Sequence, residues 1–273
     1  MKKRIGYGVV GIILGCIFLF PIYILIMNSF KTTKGIFTDV LGFPGKGTFT
    51  LENYKNAFES LDYAKSFMNS LVITVVTAVL VLLISAMAAW VLVRYKTKTS
   101  KVIFLIFAGS MLIPFQCVML PLVGVAGKIG LMTRGGLIFM YMGFQTSMAI
   151  IMFHGFIKGG VPISLEEAAQ IDGAGRLRTF FQIVFPLLKP TTATLVILYA
   201  LSLWNDYLLP SLILTDKSLY TIPIATKLFQ GTYSNDMDLL MAALVMAIIP
   251  VIILYIALQK YIIAGVVAGA VKS

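Results

Sequence analysis

The sequence predicts an all-α integral membrane protein of six transmembrane helices with both termini on the cytoplasmic side. Three observations carry that prediction. Of its 273 residues, 59% are hydrophobic and 12% charged, and the mean hydropathy of +0.95 lies outside the range of soluble domains. Apolar stretches of about 20 residues, enough to cross a hydrocarbon layer of about 30 Å, occur at 6–27, 71–93, 102–123, 137–157, 190–214 and 239–258. Lipid offers the backbone no hydrogen-bond partners, so such stretches must be helices. The positive charge also alternates along the chain. An inside N-terminus places Lys2, Lys3, Arg4, Arg94, Lys96, Lys98, Lys101, Lys158, Arg176, Arg178, Lys189, Lys260 and Lys272 in the cytoplasm. Most acids, including Asp39, Glu52, Glu59, Asp62, Asp216, Asp236 and Asp238, fall outside. The net charge of +11 therefore follows from positive-inside topology and requires no nucleic acid.

The first apolar stretch begins "MKKR" and contains "ILGC" at residues 13–16, as a lipoprotein signal would. It stays apolar well past Cys16, and the reading is a retained helix. Cys16 and Cys117 lie inside apolar runs, which suggests neither a disulfide framework nor a metal site. After the Gly/Pro-rich stretch "TDVLGFPGKGT", Leu51, Tyr54, Phe58 and Leu61 recur at helical spacing and predict a short helix on the outer surface. Pro114, Pro121 and Pro210 sit within or beside spans, where proline bends or ends a helix. The loops are too short for a second domain. The expected division is an N-terminal helix with its extracytoplasmic segment at 1–66, a transmembrane domain at 67–263 and a cytoplasmic tail at 264–273.

Residues 158–189, between the fourth and fifth spans, read like soluble protein. Ser164 stands three residues before Glu167, the spacing of a capping box, which starts a helix at Leu165, and Pro162 keeps the chain ahead extended. Gly173 and Gly175 offer an exit through positive φ, and a second short helix follows from about Arg176 to Val184. Ala168, Ala169, Gly173 and Ala174 carry almost no side-chain bulk, so another backbone can approach closely, while Glu166 and Glu167 can meet basic groups on a partner. An interfacial helix resting on lipid is the alternative, but such helices favour Lys, Arg and large apolar residues.

These residues carry a resemblance. Glu167, Ala168 and Ala169, then Gly173, Ile183 and Pro186, stand in the register of the signature of permease subunits of binding-protein-dependent ABC importers, with Phe185 where that family usually has Leu. "SLEEAAQIDGAG" resembles the carbohydrate-importer branch. "FPIYILIMNSFKT", "TLENYKNAF", "NSLVIT", "WNDYLLP" and the tail "GAVKS" are all similar to its MalG-type half, in the same order along nearly the whole chain. The resemblance implies the type I ABC importer transmembrane fold. It also implies a second, MalF-type permease subunit, a dimer of ABC ATPase subunits below, and an extracytoplasmic solute-binding protein that delivers a sugar from above. Glu166, Glu167, Ala168, Ala169, Asp172, Gly173, Ala174, Ile183 and Pro186 would then form the element that couples to the ATPase in a bacterial or archaeal cytoplasmic membrane.

No catalytic residue, metal site or cofactor is expected on this chain. No phosphate-binding G-x-x-x-x-G-K-[S/T] occurs, so ATP and Mg belong to the partner. Trp204, Asn205 and Asp206 put an aromatic face beside an amide and a carboxylate, which suits a hydroxyl-rich ligand. The same three residues suit an interfacial Trp anchor and a cap before Pro210, and this second role has the stronger claim. His154 and Asn69 are expected to be structural. An ion-coupled secondary transporter would ordinarily place ionisable groups inside the membrane. Asp206 is the one acid that these spans contain, and it lies near an edge.

Overall fold

The computed structural model describes the backbone of residues 2–232 and 236–270, and the side chains of 7–227, 229, 236–257 and 259. The described chain is almost wholly helical; its one β element is an isolated antiparallel bridge between Lys31 and Phe49. It divides into two compact units: 1–68 with 221–252, and 69–220 with 253–273.

The first unit opens with α1 (Lys2–Ser29), whose apolar window from Tyr7 to Ser29 is not buried against any part of the chain. The segment after it is held by polar side chains that satisfy backbone carbonyls where helix geometry ends. Asn28 donates to the carbonyls of Ile24 (2.8 Å) and Val40 (2.9 Å), and Lys31 Nζ donates to that of Asp39 (2.6 Å). The short α2 (Thr33–Thr38) is capped by Thr32, whose hydroxyl accepts from the Gly35 N–H. The expected surface helix is α3 (Glu52–Ser60), but it is rotated from the expected face. Leu51 and Phe58 are exposed, while Asn53 is buried and donates to the carbonyls of Ser29 (3.0 Å) and Lys31 (2.8 Å). Two otherwise unsatisfied carbonyls outweigh the apolar stripe. Ala57 and Leu61 join Ala225, Phe229, Ala242, Ala243 and Met246 in this unit's core, and the Tyr63 hydroxyl donates to the Met246 carbonyl at 2.9 Å.

In the second unit, α4 (Tyr63–Arg94) enters from the first and runs unbroken to Arg94, burying Ala78, Val81, Ala86 and Ala89. The third predicted span is not one helix. It is α5 (Lys98–Ser110) and α6 (Phe115–Lys128), bent by 99° at a break where Pro114 forms the N-cap of α6. The α7 helix (Arg134–Gly160) is central and packs against both α5 and α11 (Lys189–Asn205). Between α7 and α11 come α8 (Ile163–Ile171), α9 (Arg176–Thr179), a π-helical turn (Phe180–Val184) and α10 (Phe185–Leu187). Pro186 has no N–H for the Gln182 carbonyl, and the turn ahead of it widens to π.

The fifth predicted span also ends early. Asp206 is extended, so α11 stops at Asn205, and Pro210 falls within the short α12 (Leu208–Ile213). A 3₁₀ turn (Lys217–Leu219) precedes α13 (Ile222–Thr232), which lies in the first unit, and α14 (Met237–Ala270) closes the described chain. Four helices are long and apolar enough to cross a membrane, or six spans when each of the two bent pairs counts as one.

Candidate functional site: the α8 knuckle and the end of α4

The α8 segment starts two residues earlier than expected. Its N-cap is Pro162, without a side-chain hydrogen bond, so Ser164 lies inside the first turn and the capping box does not form. Val161 is extended, as a residue before proline should be. The C-terminal end matches the glycine reading at one position and departs from it at the other. Gly173 has φ +78°, whereas Gly175 has φ −70° and needs no glycine freedom. The Gly173 N–H bonds the Gln170 carbonyl at 3.0 Å, and that of Ala174 bonds the Ala169 carbonyl at 2.9 Å. Together these form a Schellman ending, which leaves the chain as a tight, small-residue turn.

The side chains of α8 separate into two faces. Glu167, Ala168, Ile171, Asp172 and Gly173 are exposed, Ile171 at 87%, and Ala174 is half-buried. Glu166 and Ala169 turn inward. This corrects the expectation for Glu166: its carboxylate is already engaged within the chain. Its Oε1 accepts from Arg94 Nη2 at 2.7 Å and Nε at 2.9 Å, and its Oε2 accepts from Trp90 Nε1 at 2.9 Å. A planar guanidinium fork gripping one buried carboxylate is a strong and directional form of ion pair. Arg94 Nη2 also donates to the Val161 carbonyl at 2.9 Å, just ahead of α8. Ile183 and Pro186 do not share the open face; both are half-buried in the π turn and α10.

Arg94 and Trp90 are functional candidates that charge counting misses, because Arg94 reads as one more positive-inside residue. Their i, i+4 spacing near the end of a span, matched by the i, i+3 pair Glu166 and Ala169, is the available signal. Aromatic packing supports the arrangement. Trp90 lies 5.5 Å from the ring of Phe180, which is fully buried and in turn contacts Phe181 and Phe185.

At the end of α11, Trp204 is buried and Asn205 is exposed, its amide donating to the Leu201 carbonyl at 2.8 Å. Asp206 accepts from the Tyr141 hydroxyl at 2.7 Å through Oδ2 and from the Leu208 N–H at 3.0 Å through Oδ1. Its carboxylate thus ties the start of α12 to α7. Asn69 is more than a cap: it donates to the carbonyls of Ser218 and Tyr220, both at 3.0 Å, and accepts from Arg134. His154 stacks on Phe104, with centroids 4.2 Å apart. No group of acids, histidines and cysteines that could hold a metal occurs among the described residues.

A bent-helix membrane architecture with a small-residue knuckle on a charged anchor defines a transport permease, and comparison with known proteins gives the family. Residues 81–267 match the family described as binding-protein-dependent transport system inner membrane component, and the chain belongs to it. It is 44% identical over 262 residues to the probable starch degradation products transport system permease protein AmyC of Thermoanaerobacterium thermosulfurigenes, covering 96% of this chain and 94% of that one. It is 38% identical over 261 residues to the melibiose/raffinose/stachyose import permease protein MelC of Bacillus subtilis, covering 95% and 94%. Among solved structures, a bacterial ABC transporter involved in the import of the acidic polysaccharide alginate superposes with a TM-score of 0.81 at 25% identity, over 96% of this chain and 98% of that one. This chain is therefore an integral membrane component with the type I ABC importer fold.

Proposed function

We propose that this chain is the MalG-type permease subunit of an ATP-driven importer that moves a sugar or oligosaccharide across the cytoplasmic membrane of a bacterium or archaeon. The single observation that supports the coupling role is the open face of α8: Glu167, Ala168, Ile171, Asp172 and Gly173, ending in a left-handed glycine and unused by the rest of the chain. A surface of that kind admits a partner's backbone at close range and offers two carboxylates to basic groups at its rim. In this reading α8 lies on the cytoplasmic side and seats on one of two ABC ATPase subunits, which bind the ATP and Mg. A second permease completes the pathway, and a solute-binding protein delivers the cargo from outside. Closure of the ATPases on nucleotide carries α8 inward and biases the spans between two open states.

The sugar class is inferred from the relatives, whose descriptions name starch degradation products and raffinose-type sugars. At the corner of 204–206, Asn205 is the member positioned to meet cargo, since Trp204 is buried and Asp206 holds α12.

The test is uptake into liposomes of radiolabelled maltotriose, raffinose and arabinotriose by the assembled importer. Import of at least one sugar that needs ATP, the ATPase subunits and the binding protein together is expected. Import by this chain alone, driven by an ion gradient, overturns the proposal. A photocrosslinker at Ala168 provides a second readout and should capture an ATPase subunit; capture of lipid alone in a working importer refutes the docking role.

A further inference from the structure

A docked α8 must transmit its displacement to the spans, and the structure offers one strong attachment at its N-terminal end. The backbones of α4 and α8 make little close approach to each other. Arg94 lines two cavities of about 700 and 460 Å³ at the α4 end, one shared with Lys96, Lys158 and Pro162, the other with Gln170 and Arg176. Between them stands the Arg94–Glu166 pair, with side chains only 16% and 5% exposed. Arg94 holds α8 at two places, the Glu166 carboxylate in its first turn and the Val161 carbonyl just ahead of it. Trp90 adds a third contact through its indole N–H.

From Asn69 to Arg94 the α4 helix contains no proline or glycine. Those 26 residues form a rod of about 39 Å at 1.5 Å per residue. The far end of the rod is also fixed, with Asn69 bonded to Arg134 at the start of α7 and to the carbonyls of Ser218 and Tyr220.

We propose that Arg94 and Glu166, braced by Trp90, are positioning residues that deliver the displacement of α8 to α4, which carries it to the Asn69 junction. The inference rests on the reading of α8 as the ATPase-docking helix. A fork on a carboxylate suits this task because it resists both translation and rotation, whereas a single point contact would let α8 swivel.

The experiment uses the assembled importer in liposomes, with Cys16→Ser and Cys117→Ser in this chain and spin labels on Ile84→Cys of α4 and Ile171→Cys of α8, both exposed positions. The label separation is measured without nucleotide and after trapping with ATP and vanadate. The native pair should keep one separation in both states, because the helices move together. In the double variant Arg94→Met, Glu166→Leu, which leaves no orphaned charge and should preserve folding, the separation should shift between states. Maltotriose imported per ATP hydrolysed should fall by about tenfold, within the range reached by coupling-network substitutions. A merely structural ion pair predicts a double variant with unchanged separation and unchanged sugar per ATP, and that result overturns the proposal. Copurification of the ATPase subunits and capture from Ala168 are read in the same preparations. If capture fails in the native importer, the docking reading falls; if capture persists while the double variant stays coupled, the link alone falls.

Discussion

At the scale of single residues, two positions in the knuckle have distinct physical roles. Gly173 adopts φ +78° with open space where a Cβ would stand, so a side chain there meets backbone strain rather than a clash. Gly173→Ala should cost about 1–2 kcal/mol of local stability, visible as faster amide exchange in α8. Gly173→Asp adds charge to the proposed docking turn and should abolish uptake while the chain still inserts in the membrane. Glu166 behaves differently because it is buried on a cation. Glu166→Ala should destabilise the chain by about 3–5 kcal/mol, since it strands Arg94 away from water, and Arg94→Met in the same chain should restore most of that loss. Unfolding curves in detergent, compared across the single and double variants, check the order. The sequence made the glycine legible, because few residues other than glycine tolerate such a turn. It did not separate Glu166 from Glu167, because which of two adjacent acids faces inward depends on Arg94, 72 residues away.

At the scale of elements, the agreement between sequence and structure follows hydropathy and fails where polar groups break a helix. The spans at α1, α4, α7 and α14 are readable because long apolar runs have no other stable form in lipid. The third and fifth were misjudged in continuity. Met111 to Pro114 and Asp206 interrupt apolar runs that hydropathy alone joins. Asp206 shows why: its carboxylate caps α12 through the Leu208 N–H and accepts from Tyr141, a partner 65 residues away that no local pattern reveals. Asp206→Ala should therefore cost about 1–2 kcal/mol, as loss of a helix cap does, and Asp206→Asn, which keeps the acceptor for Leu208, should cost less. Tyr141→Phe should cost about 1 kcal/mol through its lost hydrogen bond. Thermal unfolding of the three variants tests the ranking. If these residues hold the corner and Asn205 meets cargo, Asn205→Ala should alter uptake with little change in stability.

At the scale of the whole molecule, the charge asymmetry predicts orientation. With Cys16 and Cys117 replaced by Ser, a membrane-impermeant maleimide should modify Lys96→Cys only in inverted vesicles and Lys34→Cys only in right-side-out ones, both positions being exposed. The opposite labelling pattern would place α8 outside the cell and end the case for ATPase docking. Family membership was legible from the knuckle and from five further matches in order, and 187 residues of the chain fall within the matched range 81–267. The cargo was not legible, because the residues nearest to a sugar-binding chemistry, Trp204 and Asp206, are taken up by burial and by holding a corner.

The buried clasp on Glu166 also bears on assembly. The knuckle holds its shape from within, through Arg94, Trp90 and the Schellman bonds, so an arriving motor subunit meets a finished surface. Association then loses little conformational freedom on this side, and the free energy of contact goes into affinity rather than into ordering a loose loop.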